Sequence, residues 1–206
     1  MYTLPKLTNK FVEKFRNRML GQGYAVINTS AFFKNTFNVD WYKINKDRYV
    51  NEWDFPYVFM PEWSKEFFNW HKRLLEKALP EENIRHGCFS FRETKRQVKE
   101  PSIEKPHIDG SYIRSITFFE GDTTVFCLKK GNVPLPLFKT CIFTAKLRSD
   151  AMKINGTKHF KPITKNPRKL LVVGFDGRIE DHTIPTPAQG TVSDEVIVPM
   201  YNELWP

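Results

Sequence analysis

Apolar residues along the first twenty positions recur at helical spacing. Phe11, Val12, Phe15 and Met19 fall on one face, and Thr8 stands where an N-cap hydroxyl belongs. The pattern predicts a helix over 8–20, stopped by "GQG" and followed by a β-rich run, "YAVINT". A second helix is predicted over 61–79. Pro61 and Glu62 open it, Pro80 follows it, and Trp63, Phe67, Trp70, Leu74 and Ala78 make its apolar stripe. Between the two lies an aromatic stretch without a clear period, "NVDWYKINKDRYVNEWDFPYVF".

After Gly87 the period changes. "CFSFRE", "SITFF", "TTVFCL", "KTCIFTAKL", "KLLVVGF" and "DEVIVPM" are short β-branched or aromatic runs, parted by turn chemistry such as "EGD", "KKGN", "FDG" and "PAQG". In "KTCIFTAKL", Cys141, Phe143, Ala145 and Leu147 alternate with Thr140, Ile142, Thr144 and Lys146, which predicts a strand with one face inward. Helices followed by many antiparallel strands predict an α+β chain, mostly β, with the strands in a sandwich or barrel. The chain reads as a single domain over 1–206, with a helical and aromatic part over 1–86 and a β core over 87–206.

Composition narrows this picture. Hydrophobic residues make up 40% of the chain and aromatics 15%, which excludes a disordered chain. No apolar run is long enough to span a membrane, and the charged first twenty residues do not read as a secretion signal, so the expected location is cytoplasmic. Cys88, Cys127 and Cys141 are too few and too widely spaced for a disulfide framework, and read as buried free thiols. The net charge of +9 permits an anionic partner. The lysines are spread over several loops, however, so nucleic acid is not the favoured partner.

Candidate chemistry begins in "KPHIDGSYIRS". Strand residues i and i+2 share a side, so His107 and Asp109 can present an imidazole and a carboxylate to one point; a polar turn is the other reading of the same pair. A third ligand would complete a two-histidine, one-carboxylate set, which leaves positions open on Fe(II). Of the other histidines, His71 lies beside a helical stripe, His86 precedes Gly87 in a loop, and His159 sits in a lysine-rich, solvated-looking loop, "GTKHFKP". His182 follows a strong β run and a turn and precedes another strand.

With His182 included, the pattern resembles the 2-oxoglutarate- and Fe(II)-dependent dioxygenase superfamily, in which an HxD motif precedes a distal histidine. The matching segments are "PHIDG" and "VVGFDGRIEDHTIPTPAQGTVSDEVIVPM"; "RSITFF" and "GDTT" suit the strand and turn that follow HxD. The resemblance implies a double-stranded β-helix (jelly-roll or cupin-like) core with the N-terminal helices packed on one sheet. It makes His107, Asp109 and His182 the metal ligands and catalytic centre. Fe(II), 2-oxoglutarate and O2 are the implied cofactors and cosubstrates, and the implied reaction is a hydroxylation or related oxidation of an unactivated C–H bond. The carboxylate at position 109 favours that outcome over halogenation.

Superfamily members commonly carry an arginine nine or ten residues after the distal histidine, paired with the far carboxylate of 2-oxoglutarate. Counted from His182, this chain has Thr191 and Ser193 there and no arginine. The two hydroxyls, or a cation such as Arg114, Lys139, Lys146 or Arg148, are the candidate substitutes, and Tyr112 and Arg114 are candidate substrate contacts. The substrate is expected to be a small molecule or an exposed residue of a macromolecule, with specificity in 40–63 and 95–105. A non-catalytic jelly-roll protein that binds an anionic ligand or nucleic acid is the alternative.

Overall fold

The computed structural model describes residues 4–36, 62–82, 84, 86–94, 106–108, 113–129, 131–144, 156–162 and 165–176. Helix α1 covers Asn9–Gln22. Thr8 caps it, its Oγ1 accepting from the Phe11 N–H at 3.3 Å. The helix runs through Gly21 and ends where Gly23 adopts φ 80 and donates its N–H to the Met19 carbonyl, the left-handed stop that glycine takes without steric cost. Strand β1, Tyr24–Asn28, follows.

A short helix, α2 (Ser30–Thr36), comes next and was not predicted. Seven residues are too few to show a period. The helix is held by tertiary burial of Phe32 and Phe33, at 1% and 0% exposure, each worth roughly 1.5–3 kcal/mol. Helix α3, Glu62–Ala78, matches the predicted stripe and buries Phe67, Trp70, His71 and Leu74. Arg16 of α1 donates to the carbonyl of Ala78 at 2.6 Å and pairs with Glu81, closing the C-terminal end of α3 against α1.

The remaining elements are strands β2 (His86–Thr94), β3 (Ile113–Glu120), β4 (Val125–Leu128), β5 (Gly131–Pro134), β6 (Lys139–Thr144), β7 (His159–Phe160) and β8 (Arg168–Asp176). His86 therefore opens a strand, where the sequence suggested a loop. The strands form two sheets, one of order β1-β6-β3-β8-β2 and one of order β5-β4-β7, with every pairing antiparallel. The architecture is α+β, as the switch of period indicated.

Both faces of the large sheet are covered. Ile113, Phe119, Ile142, Leu171, Val173 and Phe175 pack against the helices. Ile116, Phe118, Cys141, Phe143, Leu170 and Val172 pack on the other face, together with Phe126 of the small sheet. The expectation of a single inward face on β6 is thus corrected, since Thr140 through Thr144 are all buried. Thr140 tolerates this because its hydroxyl lies 2.9 Å from that of Thr29 and 2.7 Å from that of Thr117, so these three buried hydroxyls satisfy one another. Among the described residues, no helix is long and apolar enough to cross a membrane.

Candidate active site

The site is assembled where the two sheets face each other. Residues 157–160 are held by two backbone bonds and one side-chain bond, from three directions. Thr157 N–H donates to the Thr144 carbonyl at 2.8 Å, and Cys127 N–H donates to the Lys158 carbonyl at 2.9 Å. The Thr157 hydroxyl donates to the Gly23 carbonyl at 3.1 Å. This register places His159 opposite Phe126 on β4.

His107 then pairs with His159. Each backbone N–H donates to the other's carbonyl, both at 3.0 Å, which is the hydrogen-bonded pair of an antiparallel bridge. Directly opposed residues put their side chains on the same face, and the two imidazole centroids lie 4.7 Å apart. His107 is exposed, whereas His159 is buried at 5% exposure against Phe126 and Phe143, at centroid distances of 5.7 and 5.1 Å. The expectation of a solvated His159 is therefore corrected. Lys158 points outward and the histidine between it and Phe160 turns in.

His159 Nδ1 lies 3.3 Å from the carbonyl of Thr157. A proton held there donates to that oxygen, fixes the ring and leaves the Nε2 lone pair available to a ligand, the usual arrangement behind a metal-bound histidine.

Arg168, the first residue of β8, enters the same layer from the large sheet. It is 4% exposed, and its guanidinium carbon sits 5.0 Å from the centroid of the Phe118 ring. Its Nη2 donates to Thr124 Oγ1 at 3.5 Å. Thr124 precedes Phe126 by two residues, about 7 Å of extended chain, so a buried cation lies one alternation away from the Phe126–His159 row.

The other sequence-derived candidates divide clearly. Arg114 lies on β3, half-buried, between Phe143 of β6 and Gly174 of β8, on the face that Ile116 and Phe118 turn toward the small sheet. Lys139 begins β6 across from Asn28, at the end of the strand away from Phe143. Asp109, Tyr112, Lys146, Arg148, His182, Thr191 and Ser193 lie outside the described residues. Among the described residues, no three His, Cys, Asp or Glu side chains form a metal cluster, and Asp109, two residues beyond His107, is not among them. Two imidazoles on paired strands, with a carboxylate two positions along the same chain, make a donor set that suits Fe(II).

Sequence reasoning passed over His159 and Arg168. Their signal was a spacing: "HFKPITKNPRKLLVV" puts an arginine nine residues after a histidine, immediately ahead of a strongly β run.

No protein-family model and no curated protein matches the sequence. Solved structures do match. A prolyl-4-hydroxylase from Pseudomonas putida superposes with a TM-score of 0.58 at 9% identity, over 85% of this chain and 99% of that one. A prolyl hydroxylase from Trichoplax adhaerens, in complex with a hypoxia-inducible-factor peptide fragment, gives 0.58 at 11% identity, over 85% and 95%. The non-heme alpha-ketoglutarate-dependent epimerase SnoN from nogalamycin biosynthesis gives 0.58 at 11% identity, over 91% and 93%. The chain shares the fold of the 2-oxoglutarate/Fe(II)-dependent oxygenases, as the HxD segment and the strand pattern indicated.

Proposed function

We propose that this protein is a non-haem Fe(II) oxygenase that uses 2-oxoglutarate and O2, built on a double-stranded β-helix. The sheet orders support the fold reading. The large sheet alternates early and late strands, and the small sheet extends, through the His107–His159 bridge, into four segments that do the same. The observation that carries the function is that bridge, taken with Arg168. Two histidines share a face at 4.7 Å, and nine residues after the second stands a buried arginine.

In this reading His107, Asp109 and His159 hold the metal, and His159 takes the place that the sequence pattern gave to His182. Arg168 takes the place for which Thr191, Ser193 and Arg114 were considered, and forms the charge-assisted pair with the far carboxylate of 2-oxoglutarate. Bound iron and 2-oxoglutarate supply oxidative decarboxylation coupled to oxidation of a C–H bond. The chain's own part is to orient and exclude. Thr157 holds the His159 tautomer, and Phe126 and Phe143 wall one side of that imidazole against water. Arg168 meets its partner in a low-dielectric layer, where a bidentate pair is strong. Arg114, on the same inter-sheet face, is left as a substrate contact. The substrate class is a small molecule or an accessible residue of a peptide or protein; the solved neighbours include both an epimerase and a hydroxylase seen with a peptide.

The test is anaerobic titration of the purified protein with Fe(II) and then 2-oxoglutarate, following the weak visible charge-transfer band of the chelate. The band is expected in the wild type and in His182→Ala, and absent in His107→Ala and His159→Ala. A band that survives in His159→Ala and disappears in His182→Ala returns the ligand role to His182.

A further inference from the structure

Arg168 and the three residues before it are held by one turn, the link between β3 of the large sheet and β4 of the small one. The turn between β3 and β4 carries Gly121, Asp122 and Thr124. Asp122 Oδ2 accepts the N–H of Lys165 at 2.6 Å and the N–H of Asn166 at 2.9 Å. Its Oδ1 accepts the Asn166 side-chain amide at 3.1 Å. Gly121, at φ +75, lies so close to the other chain that a Cβ there would sit 1.8 Å from the Pro167 carbonyl oxygen and 3.0 Å from the Arg168 Cα. Thr124 receives the guanidinium itself. Residues 165 to 168 are thus fixed in sequence by carboxylate, close backbone contact and hydroxyl, all from one turn.

We infer that Asp122 is a positioning residue for 2-oxoglutarate, acting through Arg168. The inference rests on the function proposed above. Asp122 bonds to Lys165 and Asn166, the residues from which β8 departs, and hence fixes the point at which Arg168 enters the site. A bidentate pair tolerates little error in that point, because both N–H vectors must meet one carboxylate plane. The N–H donors hold the Asp122 carboxyl below its ordinary pKa, with the Asn166 backbone the largest cause and Arg168 adding a smaller attraction. The grip is accordingly made throughout the neutral range.

The experiment uses the full chain loaded with Mn(II) in place of iron, titrated with 2-oxoglutarate and followed by tryptophan fluorescence. Asp122→Ala is expected to raise the 2-oxoglutarate Kd about tenfold, with the Mn(II) Kd unchanged. Asp122→Asn keeps an acceptor for the two backbone N–H groups and is expected to restore most of the affinity. In an Arg168→Ala background the Asp122→Ala change should have no further effect on the 2-oxoglutarate Kd, the signature of two residues acting in series. Wild-type affinity in Asp122→Ala overturns the inference, as does an undiminished effect in the Arg168→Ala background. Wild-type protein that binds Mn(II) but not 2-oxoglutarate overturns the proposed function, and this inference with it. Loss of affinity in Arg168→Ala alone, with Asp122→Ala binding as wild type, leaves the function standing and removes only the positioning role.

Discussion

His71 meets Phe67 edge to face, ring centroids 4.5 Å apart, with its imidazole completely buried between α3 and the large sheet. Burial pushes its pKa down from 6.5 to about 3, and the Phe67 backbone one turn earlier opposes this only in part. The folded state therefore holds His71 neutral while the unfolded chain takes up a proton. The stability contribution is fully present above pH 6.5 and is lost progressively as the pH falls toward 3. His71→Leu fills a similar space without the buried nitrogens. Denaturation midpoints at pH 7.5 and pH 5 should show a smaller acid loss in His71→Leu than in wild type; equal losses would place the acid-sensitive group elsewhere.

Gly121→Ala should destabilise the fold by about 1–3 kcal/mol through its positive φ alone, and further through the contact with Pro167. Gly131→Ala is the control. It has φ +116 but open space around a Cβ. Urea denaturation should find Gly121→Ala the more damaging of the two.

Thr8→Ala removes the hydroxyl that accepts from the Phe11 N–H, and should cost about 1 kcal/mol of stability. Thr8→Ser should recover most of it. Thermal midpoints of the three proteins at neutral pH check this directly.

Cys141 is buried between the sheets and burial raises its thiol pKa, so its thiolate is scarce at neutral pH. Cys127 is free and only half-buried. Labelling of native protein with iodoacetamide should modify Cys127 well before Cys141, and mass spectrometry of the digested protein reads the order.

The helices were legible because their stripes are long. The spacing from Trp63 to Ala78 and the cap at Thr8 leave few alternatives, and both appear as α3 and α1. The strands around "SITFF" and "KLLVVGF" were legible because β-branched runs bounded by turns fit little else. The His159–Arg168 pairing on which the proposed site rests was hidden in the sequence for a physical reason. β7 is two residues long, too short for any period, and its neighbours Lys158 and Lys161 dress it as a loop. His182, set after the strong run "KLLVVGF" and a turn, has more strand-like sequence surroundings than His159 and lies outside the described residues. Arg168, beside Lys169 in "NPRKLL", reads as one of two surface charges until alternation along β8 shows that the arginine faces inward and Lys169 pairs outward with Glu120. The burial of β6 on both faces was equally invisible, because the threonines that mark a solvated face in the sequence find partners inside: Thr140 meets the hydroxyls of Thr29 and Thr117, and Thr144 donates to the Gly23 carbonyl.

The bridge between His107 and His159 also orders events in time. The two residues stand 52 positions apart in the chain, and β3 through β6 lie between them. Closing so long a loop carries an entropic cost that local helices do not face, and such distant pairings form late in folding. The helices and the hairpin of β4 and β5 can be in place before the two imidazoles meet. Anything that grips both rings will therefore bind only the fully closed chain. Its measured affinity will carry the free energy of that last closure.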